Sequence, residues 1–247
     1  MQNVGGLTFP GLQVSTDTIS LQYDGSGVGG PAATDGTTIS AGITTGTLYY
    51  SLLMKVTVVQ AAGGNAFATG VNLTSGSFMA GPQTIANTAA PAAGSSAAPL
   101  LIRSGDGTQF SPTYQLGTSK TATAADRQYY TGQAFTTGAG AQTVFVVLKY
   151  DFAAGGSASL YINPTPGGVE PAAQLTVTAG TALTLNSGIR SFFVRNNSVE
   201  PDTLLIDELR IGTLWADVTP AVPEPATSVL VGLGVFGLIS SRRLRRR

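Results

Sequence analysis

The sequence predicts an all-β protein, and three observations support that prediction. Only 11% of the 247 residues are charged while 32 are glycine, a balance that favours strands and turns over helices. Before Pro220, no long stretch repeats apolar residues with the 3.6-residue period of a helix. Short runs rich in β-branched and aromatic residues lie instead between glycine-rich turns. With 43% apolar residues, the chain can bury a substantial core.

Eight runs are predicted to be strands: residues 47–59, 75–81, 98–105, 142–152, 158–164, 174–179, 187–196 and 203–212. The fourth and fifth are expected to form a hairpin, because the glycine-containing loop from Ala153 to Ser157 joins runs of comparable length. The low-complexity stretch 87–99 is expected to be a surface loop. Many short strands with glycine-rich turns indicate a two-sheet β-sandwich or jelly roll, and residues 1–220 can form it as one domain.

The C-terminal segment has a different character and divides into three parts. Pro223, Glu224 and Pro225 form an extended linker within residues 221–225, because the two prolines disfavour helix and ladder hydrogen bonds. Residues 226–241 contain no charge and would span about 24 Å as a helix. A bilayer core of about 30 Å can thin to that length, so we expect a single transmembrane helix. Residues 242–247 are a basic tail with arginines at Arg242, Arg243, Arg245, Arg246 and Arg247.

The arginine cluster predicts the orientation of the chain. Basic residues stay on the cytoplasmic side of a membrane, which places the body outside. Without residues 222–247 the chain has 8 basic and 12 acidic residues, a net charge of −4, which makes it a poor partner for nucleic acid. Two alternatives stay open for the tail: a basic nucleic-acid-binding tail behind a core helix, and an apolar strand of the body.

Pro-Glu-Pro, a short apolar helix and a terminal arginine cluster, in that order, resemble the PEP-CTERM sorting signal of bacterial exported proteins. The resemblance implies that an exosortase, a membrane transpeptidase-like enzyme, recognises Pro223, Glu224 and Pro225 and cleaves nearby. It also implies a transient inner-membrane anchor, delivery to the cell surface or extracellular matrix, and a link to exopolysaccharide. Exported proteins carry a basic and apolar leader, which residues 1–20 lack, so we expect the leader upstream of Met1.

The order of the body's strands, from "LYYSLLMKV" through "VFVVLKYDF" and "ASLYINPTPG" to "IDELRIGTLWADVTP", resembles concanavalin A-like, LamG-type jelly rolls. The resemblance covers roughly residues 47–220. It implies a module that contacts carbohydrate or protein, often without enzymatic activity. We therefore expect an exported, non-catalytic surface or matrix protein. One alternative is a secreted polysaccharide-degrading enzyme, a glycoside hydrolase or lyase, on the same fold. Another is a permanently anchored envelope protein whose tail is never processed.

Composition removes much catalytic chemistry. The chain has no cysteine and no histidine, which excludes histidine- or thiolate-based metal sites and Ser-His-Asp or Cys-His catalysis. Glycosidases of related shape need two carboxylates on one face. Asp207 and Glu208 are expected on opposite faces of a strand, with Asp207 bonded to backbone at an edge or bulge and Glu208 in a surface ion pair with Arg210. Glu170 and Glu200 precede prolines and are interpreted as turn residues. We expect no enzymatic activity.

Two ligand hypotheses come from single residue types. Trp215, the one tryptophan, could stack on a sugar, although a core or sheet-edge anchor is the favoured interpretation. Equivalent aromatic candidates are Tyr23, Tyr114, Tyr129, Tyr130 and Tyr161. Calcium is the metal that suits an oxygen-only donor set, and Asp24 and Asp106 are its candidate ligands. Both aspartates precede glycine, which is also a hairpin-turn signature and the favoured interpretation. No other cofactor is expected.

Overall fold

A computed structural model describes residues 2–3, 7, 9–12, 43–58, 77–84, 94–104, 113–153, 155–184, 188–189, 191–194 and 203–221. Their regular secondary structure consists of strands, 3₁₀ turns at Ala124–Asp126 and Gly138–Gly140, and a short helix α1 (Trp215–Val218). The strands are β1 (Gln2–Asn3), β2 (Thr47–Val58), β3 (Ser77–Gln83), β4 (Leu100–Ser104), β5 (Thr113–Thr118), β6 (Gln128–Tyr129), β7 (Phe135–Thr136), β8 (Val144–Asp151), β9 (Ser157–Ile162), β10 (Leu175–Val177), β11 (Ser191–Val194) and β12 (Thr203–Gly212).

The strands form two sheets. The first has the order β1-β12-β2-β8-β9-β10, and the second has the order β11-β3-β4-β5-β6, with β7 also pairing with β5. Neighbouring strands are antiparallel, except that β1 runs parallel to β12. The all-β prediction is confirmed.

The main core lies between the two sheets. Side chains alternate across a strand, and every second residue of β2, from Leu48 through Tyr50, Leu52 and Met54 to Val56, belongs to this core. Each such buried aliphatic side chain contributes roughly 1.5–3 kcal/mol to folding. The Tyr50 hydroxyl is satisfied inside the core, because it donates to the backbone oxygen of Ala98 at 2.8 Å.

All eight predicted strands are present, with ends that differ by a few residues. The predicted hairpin is confirmed, since Asp151 pairs with Ser157 across the loop between β8 and β9. The prediction missed β5, a strand inside the second sheet. Its Gln115 and Gly117 interrupt the apolar pattern, but Gln115 is buried and accepts a 2.9 Å hydrogen bond from Arg103.

The surface-loop prediction for residues 87–99 is wrong for its second half, residues 94–99, which are buried. Ser96 bridges to Gln83, and the Ala97 and Ala98 amides donate to backbone oxygens of β3 and of Lys120. Small side chains allow this segment to pack where larger ones would not fit, so low complexity did not mean exposure. Residues 87–93 lie outside the described residues.

Strand β12 contains a bulge at the acidic pair. Asp207 opposes Leu53 but Arg210 already opposes Ser51, so two residues share one partner position. Asp207 accepts hydrogen bonds from the amides of Leu7 and Glu208, at 2.9 Å each, which confirms its expected backbone role. The 2.9 Å Glu208–Arg210 ion pair is also present, but the surface location was wrong: the Glu208 side chain is only 3% exposed. At the bulge, Glu208 adopts a left-handed backbone conformation with φ at 55°.

The outer face of the first sheet is covered as well. Residues 7, 9–12, 163–173 and 213–221, here called the cover, lie against a second apolar cluster formed by Tyr49, Leu53, Phe145, Val147 and Tyr161 with Leu12 and Val218. Two contacts join parts of the cover to one another: Leu12 bridges to Ala221, and the Gly167 amide donates to the Thr219 oxygen at 2.6 Å.

Several predicted features lie outside the described residues: the sorting tripeptide Pro223-Glu224-Pro225, the span 226–241, the arginine cluster, and the aspartates Asp24 and Asp106. Among the residues that the structure does describe, none of the helices has the length and apolarity that crossing a bilayer requires.

Gly117 allows the close approach of β5 and β6. A methyl group there would meet the Gln128 oxygen at 2.2 Å and the Tyr129 ring at 2.7 Å, whereas one at Gly140 would meet only Thr136 Oγ1 at 3.6 Å. We expect Gly117→Ala to lower the free energy of unfolding by about 1–3 kcal/mol. The matched control Gly140→Ala should change it by less than about 0.5 kcal/mol. Denaturant unfolding of the full chain in detergent measures both, and equal stability of the two variants would contradict this packing.

Candidate functional site

A polar cluster joins the cover to the outer face of the first sheet. Its centre is Glu170, on the loop between β9 and β10. Tyr49 of β2 and Lys149 of β8 are direct cross-strand partners, and Tyr161 of β9 pairs with Val147, two residues from Lys149 on the same face. Three neighbouring strands therefore bring one cation and two phenols to the same carboxylate.

Each of these three side chains donates a hydrogen bond to Glu170. Lys149 Nζ lies 2.9 Å from Oε1, and the Tyr49 hydroxyl lies 2.7 Å from Oε2. The Tyr161 hydroxyl also donates to Oε1. Lys149 Nζ is 5.5 Å from the centre of the Tyr49 ring, so the ammonium interacts with both the carboxylate and the aromatic face. We refer to these four residues as the Glu170 cluster.

The cluster keeps the carboxylate ionised and the phenols neutral. Burial alone would raise the pKa of Glu170, but the hydrogen bonds from Tyr161, Lys149 and Tyr49 outweigh it and lower that pKa. Burial alone would lower the pKa of Lys149, but the hydrogen bonds and electrostatic attraction to Glu170 and Tyr49 outweigh it and raise that pKa. Desolvation and the adjacent carboxylate raise the pKa values of Tyr49 and Tyr161. At neutral pH the tyrosines therefore act as hydrogen-bond donors.

Trp215 connects the cluster to the C-terminal part of the cover. Its ring meets those of Tyr49 and Tyr161 edge to face, with centroids 6.0 and 4.9 Å apart. Its Nε1 donates to the Gly168 oxygen at 2.9 Å, which ties α1 to the loop that carries Glu170. The indole thus occupies an anchoring position, and it remains half-buried. Its contact with a ligand stays a prediction.

The carboxylates within the described residues all accept hydrogen bonds from the protein itself. Besides Glu170, Asp207 and Glu208, these are Asp126, which accepts from the Thr181 amide at 2.6 Å, Asp151, which accepts from the Ala153 amide, and Asp217. Asp217 accepts from the amides of Thr213 and Leu214 and so fixes the start of α1. In this part of the chain, no three acidic, histidine or cysteine side chains converge into a metal site.

The sequence did not predict the Glu170 cluster. Glu170 was interpreted only as a turn residue before a proline, and Tyr49 and Lys149 were simply parts of strands. The one available signal was an ionisable lysine inside the apolar run "VFVVLKYDF", which calls for a partner when its strand packs on both faces. Which carboxylate supplies that partner depends on strand register and loop path, neither of which is a local property.

The comparisons with known proteins concern the segment that follows the cover. Residues 221–247 match the PEP-CTERM protein-sorting motif. No curated protein and no solved structure matches the chain significantly. The motif implies recognition by an exosortase, a membrane enzyme, and hence an exported protein that is transiently anchored at the membrane through its C-terminus. The match begins at Ala221, the residue with which the cover ends.

Replacing the Glu170 carboxylate should change how stability depends on pH. Because the folded pKa of Glu170 lies below its ordinary value of 4.5, its stabilisation is complete above that pH and is lost as pH falls through the folded pKa. We expect Glu170→Gln to lower the free energy of unfolding by roughly 1–2 kcal/mol at neutral pH. The difference from the unchanged chain should shrink below pH 4.5.

Denaturant midpoints measured across this pH range test the expectation. Lys55→Met, on β2 but outside the Glu170 cluster, is the control that should leave the pH dependence unchanged. A Glu170→Gln difference that is the same at every pH would contradict an ionised, hydrogen-bonded Glu170.

Proposed function

We propose that this chain is a non-catalytic jelly-roll protein that is exported, sorted by an exosortase-type enzyme and delivered to the cell surface or extracellular matrix, where it binds exopolysaccharide. In this proposal residues 1–220 are the folded domain and residues 221–225 are the recognition linker. Residues 226–241 form the transient transmembrane helix, and residues 242–247 stay in the cytoplasm. The observation that carries the proposal is the PEP-CTERM motif at 221–247, directly after a β-sandwich.

The geometry of the body supports a binding or structural role over hydrolysis. Glycoside hydrolysis needs two carboxylates free to face one bond from the two sides. The described carboxylates are instead engaged: Glu170 by a lysine and two tyrosines, Glu208 by Arg210, and Asp207 by backbone amides. A carboxylate with a lowered pKa and three donors is stabilised as an anion, which makes it a poor general acid.

The jelly-roll assignment is supported by the two packed, largely antiparallel sheets and by crossovers such as β2 lying between β12 and β8. Polysaccharide binding is supported by Trp215, whose half-buried indole is oriented by Tyr49, Tyr161 and the Gly168 oxygen. A fixed aromatic ring can stack on a sugar without first losing rotamer freedom.

The sorting proposal is tested by replacing Pro223, Glu224 and Pro225 with alanine. We expect the triple variant to remain in the membrane fraction with an intact C-terminus, because the extended peptide that the enzyme reads has been removed. The matched control replaces Glu200 and Pro201 with alanine, which changes the same residue types elsewhere and should leave release normal. Fractionation and mass determination of the released protein are the measurements. Normal release of the triple variant would refute recognition of this tripeptide.

Polysaccharide binding is tested by titrating the processed protein with exopolysaccharide purified from the producing cells. Since Trp215 is the only tryptophan, its emission reports on this position alone, and we expect a saturable change. Trp215→Phe should weaken co-sedimentation with the polysaccharide about tenfold, equivalent to ~1.4 kcal/mol. Phe152→Leu, an aromatic change at a residue that packs against the main core and is not among the candidate ligand contacts, is the control. Unaltered emission together with unaltered co-sedimentation of Trp215→Phe would exclude Trp215 from binding.

A further inference from the structure

The cover exposes apolar side chains around the Trp215–Gly168 hydrogen bond. Val169 is 91% exposed and Leu214 is 64% exposed. Val169 follows Gly168 and Leu214 precedes Trp215, and the indole donates to the Gly168 oxygen at 2.9 Å, so the two side chains belong to one region of the surface. Further exposed apolar residues of the cover are Pro10, Pro171, Ala172 and Ala216. Exposed apolar surface that clusters in this way marks an interaction site.

This surface carries few charges that contact with an apolar phase would leave unpaired. The described residues of the cover include two charged side chains, Glu170 and Asp217. Glu170 is neutralised by Lys149, and Asp217 accepts from the amides of Thr213 and Leu214. Desolvation penalises unpaired charge far more than apolar or internally bonded groups. The cover is therefore suited to a lipid interface.

The position of the C-terminus brings a bilayer to this surface. Ala221 is held in the cover by its bridge to Leu12 and by the bond between Gly167 and Thr219, two residues earlier. Four residues separate Ala221 from Ala226, where the uncharged stretch begins. Fully extended, that connection reaches about 17 Å between the two Cα atoms. A membrane that holds residues 226–241 therefore lies close to the cover.

We propose that, before processing, the cover docks on the outer surface of the lipid bilayer through Val169 and Leu214. This inference rests on the proposed insertion of residues 226–241 into the membrane. The body's net charge of −4 gives no attraction to anionic lipids, so the contact is hydrophobic and insensitive to salt. Two side chains suffice because the tether raises their effective concentration at the surface. Cleavage removes the tether, so the same contact does not retain the processed protein.

The experiment uses the full chain reconstituted in phosphatidylcholine vesicles. Trp215, adjacent to Leu214, is the only tryptophan, so quenching of its emission by nitroxide lipids labelled at headgroup depth reports docking. We expect strong quenching that is equal at low and high ionic strength. Val169→Ser/Leu214→Ser should lose at least half of it. Serine at position 214 keeps the backbone amide that donates to Asp217, and serine is a favoured helix N-cap residue. The variant is therefore expected to retain its local structure.

Control measurements separate this inference from the proposed function. Ala153→Ser changes an exposed residue of the β8–β9 hairpin, outside the cover, and should leave quenching unchanged. Resistance to carbonate extraction reports insertion of residues 226–241 independently. Extraction of the chain by carbonate would overturn both the anchoring and the docking.

Two results with an inserted chain would overturn docking alone. One is that lipid does not quench Trp215, and the other is that the serine double variant is quenched as strongly as the unchanged chain. Shielding of Trp215 from aqueous acrylamide that increases with the density of protein in the vesicles, without lipid quenching, would show that a second copy covers the surface, which also overturns docking on lipid.

Discussion

The structure depends on one constraint, which is that the central strands β2 and β8 bury both of their faces. Inward side chains such as Leu52 and Val146 pack against the second sheet, while outward side chains such as Leu53 and Phe145 pack under the cover. A strand covered on both faces reads as a continuous apolar run rather than an alternation, as in "LYYSLLM" and "VFVVL". Without the cover, these outward apolar side chains would face water.

The cover in turn depends on a small number of polar contacts. Glu170 fixes its loop to β2, β8 and β9, and Trp215 joins that loop to α1. The same segments carry Ala221, at which the sorting motif begins. The elements that complete the outer face of the sandwich are thus also the elements from which the exported chain is anchored. A folded body and its sorting signal are therefore connected without a long intervening linker, and the proposed docking surface lies at that junction.

Particular residues show how far sequence reasoning reached. The strand runs were predictable because apolar and β-branched residues report local burial. Backbone bonding by Asp207 was predictable from an acidic residue inside a strand, but the sequence did not decide between a sheet edge and a bulge. The burial of Glu208 was not predictable, because it depends on the extra residue that shifts β12 against β2. Residues 94–99 look like a linker in composition, yet they are buried, since alanine and serine fit wherever space is small. The partners of Lys149 could not be named from sequence.

The sequence by itself determined the all-β class, the exclusion of histidine and cysteine chemistry, and the sorting signal of residues 221–247. Each of these is a property of composition or of residues close together in the chain. Only the tertiary structure decided that Tyr49, Lys149, Tyr161 and Glu170 converge, and that Val169 and Leu214 lie exposed in the same cover that holds Ala221, where the sorting motif begins. The reason is that side chains up to 121 positions apart meet only when strand register and loop path are fixed, and those are set by packing of the whole sandwich.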